Sequence, residues 1–117
     1  MTKLPFLIAV ERAERSQDWR FIMHHDGWDC KLSPDQASEL ASSLEEAKTG
    51  RREAVVSNHE GIEITVWGAR ANKIALDFRS PHPDHATVGT GDGLTMAQVG
   101  QLRSELLAFV EQASGSV

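Results

Sequence analysis

The sequence predicts an α+β protein: an antiparallel, curved sheet of about six or seven strands with two amphipathic helices on one face. Three observations lead there. Several short segments alternate apolar and polar residues with period two. Two longer segments repeat apolar residues at three- and four-residue spacing behind capping sequences. Strands follow one another through turn residues before each helix, which favours antiparallel neighbours. The 117 residues read as a single domain, and a chain of this size buries roughly two-thirds of its unfolded surface.

Leu4, Phe6, Ile8 and Val10 alternate with Pro5, Leu7 and Ala9, so both faces of the first strand are apolar, with Pro5 at its start or edge. Glu11 to Asp18 is polar and turn-like. Trp19, Phe21 and Met23 alternate with Arg20, Ile22 and His24 in a second strand. Asp26-Gly27 is a favoured hairpin dipeptide, and Trp28 to Leu32 forms the returning strand. Ser33-Pro34-Asp35-Gln36 then starts a helix, with a capping serine, proline at its first position and a glutamine to close the capping box. Ala37, Leu40, Ala41, Leu44 and Ala47 form its apolar stripe, and Thr49-Gly50 ends it.

Ala54, Val55 and Val56 begin another strand, and Asn58 to Gly61 is a turn. Ile62, Ile64 and Val66 alternate with Glu63, Thr65 and Trp67, a half-buried strand. Gly68 to Asn72 turns into a second such strand, where Ile74, Leu76 and Phe78 alternate with Lys73, Ala75, Asp77 and Arg79. Two prolines make Ser80 to His85 a loop, and Ala86 to Thr90 adds a short strand. A last helix starts at Thr95 with Gln98 closing its capping box. Val99, Leu102, Leu106, Phe109, Val110 and Ala113 line one face, and Ser114 to Ser116 is a polar end. Leu32-Ser33, Gln36, Leu40, Ser42 and Leu44 recur as Leu94-Thr95, Gln98, Leu102, Ser104 and Leu106 at a constant offset of 62. The echo reads either as two pseudo-repeated strand-then-helix units, residues 1–50 and 51–113, or as two unrelated helices that share the common capping and leucine spacing.

The formal net charge is −5, and neither half hides a basic module. Residues 1–50 carry six Lys/Arg against nine Asp/Glu, and residues 51–117 carry six against eight. The whole-chain field therefore opposes nucleic acid. Cys30 forms no intrachain disulfide, which points to a reducing, cytoplasmic setting. The apolar run before Glu11 contains Pro5 and lacks a small-residue cleavage site, so it reads as a strand and not a signal peptide.

No motif announces a reaction. His24, His25, Asp26, Asp29 and Cys30, with His59, His82, Asp84 and His85, are potential metal ligands. They match no structural-zinc spacing, and strand alternation sends His24 and His25 to opposite faces. Neither a nucleophile elbow nor a zinc-protease helix is present. Gly89 to Gly93 precedes a helix but is followed by no lysine and contains Asp92, so it reads as a connection and not a phosphate cradle. No catalytic residue, metal or cofactor is expected.

A candidate contact surface emerges instead. Trp67 lies opposite the Ile62/Ile64/Val66 face and is exposed if helices cover that face. Arg70, Lys73 and Arg79 belong with it, extended by Arg51 and Arg52, while Glu63 and Asp77 share its phase. In topology, residues 53–113 resemble the single-stranded-DNA-binding fold of the transcriptional positive cofactors and the plant Whirly proteins. That resemblance implies strand binding by Trp67, Arg70, Lys73 and Arg79. In composition, the chain resembles small acidic accessory proteins of phages and mobile elements, some of which inhibit host defence nucleases. The preferred expectation is a non-enzymatic protein that docks on a protein partner through Trp67, Arg70, Glu63, Glu60, Lys73 and Arg79. Acidic residues such as Glu45, Glu46, Glu60 and Glu63 would meet a basic partner, and self-association into a homodimer is also expected. Single-strand binding is the alternative, and an enzyme site around His82, Asp84 and His85 a third reading.

Overall fold

The computed structural model describes residues 4, 6–12, 19–25, 28–49, 53–57, 62–70, 72–79, 88–89 and 93–115. Its class is the predicted one. The antiparallel strands, however, form two sheets and not one.

In the first sheet, β1 (Leu7–Arg12), β2 (Trp19–His25) and β3 (Trp28–Leu32) lie in chain order. β1 starts later than its apolar pattern suggests and continues through Glu11 and Arg12, because these pair with Arg20 and Trp19. Arg12 also places its guanidinium 5.5 Å from the Trp19 ring centre. The β2–β3 ladder closes at His25 and Trp28, on either side of the predicted Asp26-Gly27 turn, which lies outside the described residues.

The second sheet has the order β4 (Glu53–Ser57), β5 (Glu63–Arg70), β6 (Lys73–Arg79). β7 (Val88–Gly89) and β8 (Leu94–Thr95) both pair with the far edge of β6, one near each end, and so share a single strand position. β5 runs through the predicted Gly68 turn: the register shifts between Trp67 and Arg70 and then resumes with Arg70 opposite Lys73. The reversal falls at Asn72, whose φ of 62° is a conformation that asparagine tolerates better than most residues. At Gly93 φ is +94°, and an added Cβ would lie 3.3 Å from the Ile74 carbonyl oxygen. The glycine-rich connection therefore has a backbone reason for its last glycine.

Both capping boxes form. In α1 (Pro34–Lys48), the Ser33 hydroxyl accepts from the Gln36 N–H while the Gln36 side chain accepts from the Ser33 N–H. Thr95 and Gln98 do the same for α2 (Met96–Gly115), which extends through the predicted polar end as far as Gly115. Leu40, Leu44, Leu102 and Leu106, paired by the 62-residue offset, are all fully buried.

The helices pack on each other and join the sheets into one core. α1 covers β4, β5 and β6 and also reaches β2 and β3, whereas α2 covers β6 and β8 and reaches β2. Aromatic contacts cross between the halves: Phe21 meets Phe109 at 5.6 Å and Phe6 meets Phe78 edge-on at 6.4 Å. Ala41 and Arg103, equivalent under the offset, touch where the helices meet. The Arg103 Nε–H donates to the Ala41 carbonyl at 2.9 Å.

Candidate functional site

Sheet alternation sorts the second sheet into two faces. Val56, Ile64, Val66, Ile74, Leu76 and Phe78 are buried beneath the helices. Residues one step out of phase with them form the opposite face, in three cross-strand rows. Ser57, Glu63 and Arg79 make the first, Val55, Thr65 and Asp77 the second, and Glu53, Trp67 and Ala75 the third. Lys73 follows at the end of β6 and is exposed.

Trp67 sits at the centre of this face, 42% exposed. Its cross-strand neighbour is the small Ala75, which leaves room for the indole to reach diagonally toward β6. There Nε1–H donates to Asp77 Oδ2 at 2.6 Å. The ring is therefore held in place with its single donor satisfied. Val55, in the same row as Asp77, is 46% exposed and adds apolar surface.

Of the predicted contact residues, the fold brings Glu63, Trp67, Lys73 and Arg79 onto this one face. Arg70 lies beyond the register shift, opposite Lys73 in the ladder. Glu60, like Arg51 and Arg52, lies outside the described residues. Two participants were not singled out from sequence. Val55 was hidden because Ala54-Val55-Val56 is apolar on both faces. The signal for Asp77 was its shared phase with Trp67, but its role as hydrogen-bond partner requires the cross-strand register.

The other acidic candidates divide. Glu45 Oε2 lies 3.1 Å from Arg103 Nη1 and 3.5 Å from Lys48 Nζ, so this carboxylate is engaged between the helices. Glu46 is exposed at the end of α1, away from the Trp67 face.

The histidine-rich segments give no constellation among the described residues. His24 Nδ1 pairs with Asp29 Oδ1 across the β2–β3 ladder. Cys30, one residue on, is buried on the opposite face, so it cannot join them. No three His, Cys, Asp or Glu side chains converge among the described residues, and His59, His82, Asp84 and His85 lie outside them. Among those residues, too, no helix is long and apolar enough to cross a membrane.

Comparisons with known protein families, with curated proteins and with solved structures found no match. The resemblance of residues 53–113 to the single-stranded-DNA-binding fold therefore rests on the order of strands and helix alone.

Proposed function

We propose that this chain is a non-enzymatic docking protein, and that the open face of the β4–β6 sheet is where its protein partner binds. The observation that carries this reading is Trp67: a large aromatic ring held half-exposed on β5, the middle strand of this face, with its N–H already bonded to Asp77. Interfaces concentrate their energy in such central aromatic anchors. An anchor that is ordered beforehand loses less conformational freedom on binding. Burying it would also leave no donor unpaired. Glu63, Lys73 and Arg79 around it supply a charged rim of both signs. The finer expectation of a phage-type inhibitor meeting a basic surface rests on composition alone: a short, cysteine-poor chain with a net charge of −5 and no active-site motif.

The single-strand reading draws on Lys73 and Arg79 sharing the face with Trp67. Two carboxylates oppose it: Asp77 lies against the indole and Glu63 is directly across from Arg79. A phosphate backbone would have to pass beside both. Titration of fluorescently labelled oligothymidylate into the wild-type protein and Trp67→Ala tests the choice. Docking on protein predicts no Trp67-dependent binding at physiological salt. Binding that needs Trp67 and weakens steeply with added salt would replace this reading with the nucleic-acid one.

A further inference from the structure

We infer that the partner on this face is a second copy of the same chain, stacked sheet to sheet about a twofold axis running parallel to the strands between β5 and β6. The inference rests on the docking reading above and names its occupant. A twofold interface must be self-complementary, since the same patch serves both subunits. With the axis between β5 and β6, β5 of one copy faces β6 of the other and each cross-strand row meets itself reversed.

The registers make that arrangement complementary. Glu63 and Arg79 are direct cross-strand neighbours, so Glu63 of one copy faces Arg79 of the other, twice. Thr65 and Asp77 are likewise neighbours, so a hydroxyl donor meets a carboxylate acceptor, again twice. Trp67 leans from β5 to Asp77 on β6 and so crosses the line of the axis. Its ring meets its own counterpart at the centre, where an aromatic pair contributes most. The exposed Val55 extends the apolar centre toward β4.

The electrostatics agree. Glu53, Glu63 and Asp77 stand against Lys73 and Arg79 on this face, a net of −1 where the whole chain carries −5. Two copies approaching by this face meet less repulsion than the net charge imposes elsewhere. Three strands at ~4.8 Å spacing and five to eight residues long make a patch of only a few hundred Å², below the ~800 Å² per partner of a standard interface. The dimer is accordingly a weak, reversible one.

Sedimentation velocity of the full chain, from micromolar to millimolar concentration, tests this. The expected result is a concentration-dependent monomer–dimer equilibrium. Trp67→Ala and Glu63→Arg should each raise its dissociation constant by about tenfold or more. The double exchange Glu63→Arg/Arg79→Glu, which restores opposite charges both across the strands and across the axis, should recover most of that loss. Circular dichroism and thermal melting establish that each variant is folded. A chain that stays monomeric throughout overturns the homodimer and leaves the docking reading to the oligonucleotide titration. A dimer indifferent to both single substitutions forms through another surface and overturns this face as its interface, again leaving the docking reading to the oligonucleotide titration.

Discussion

Arg103 shows how much one side chain can set in this small protein. Its guanidinium donates from Nε to the Ala41 carbonyl and places Nη1 3.1 Å from Glu45, spanning one turn of α1 from α2. Glu45 is more than half exposed, so its ion pair is screened and contributes little by itself. Arg103 is only 25% exposed, and its bond to a backbone carbonyl carries more of the effect. Arg103→Ala should therefore lower stability by about 1–2 kcal/mol, against about 0.5 kcal/mol or less for Glu45→Ala. The double variant should be no worse than Arg103→Ala alone, as urea denaturation can measure. Deeper in the core the loss is larger: Leu44 and Leu106 have no exposed surface, and Leu→Ala at either should cost about 2–5 kcal/mol. Trp67 belongs to the other extreme. Half-exposed and away from the helices, it should be dispensable for folding and needed for binding.

At the scale of elements, local chemistry fixes where each helix starts and long-range pairing fixes the rest. Ser33 and Thr95 each satisfy an otherwise unpaired N–H of the first helical turn, so Ser33→Ala and Thr95→Ala should each cost about 1 kcal/mol in chemical denaturation. These starts were legible in the sequence because a capping box is a local pattern. The strands were legible too, since alternation is local: Ile64, Val66, Leu76 and Phe78 are buried as their phase requires. The division into two sheets was not, because periodicity says which face of a strand is apolar and not which strand lies beside it. The site divides the same way. Alternation alone placed Trp67, Glu63, Lys73 and Arg79 together, but the Trp67–Asp77 bond depends on register across the β5–β6 turn. Likewise, nothing local to Glu45 shows that Arg103, from the far helix, occupies it. Gly93 is a case where one backbone angle governs an element. Any side chain there would hold φ near +94° under strain and press on Ile74, so Gly93→Ala should destabilise β8 and the start of α2 by about 1 kcal/mol or more.

For the whole molecule, the two halves share one core despite their similar plans. α1 belongs to the first half but lies on β4, β5 and β6 of the second, and α2 returns to β2 of the first. Phe21 against Phe109 and Phe6 against Phe78 tie the halves again at separate points. Neither half can then open without exposing apolar surface on the other, and partial unfolding gains little entropy for that loss. Unfolding should be a single cooperative transition. Calorimetry checks this through the ratio of calorimetric to van't Hoff enthalpy, which should be close to one. The measurement belongs at low protein concentration, where the proposed dimer would be dissociated and would add no concentration-dependent term. Two resolved transitions would mean that the strand-then-helix units are independently stable. Phe109→Ala sharpens the distinction, because Phe109 sits on α2 and contacts Phe21 of the first sheet. In a shared core its loss should lower the one transition intact, by about 10 °C or more for a destabilisation of about 3 kcal/mol or more. In separable units it should shift the second transition and leave the first unmoved.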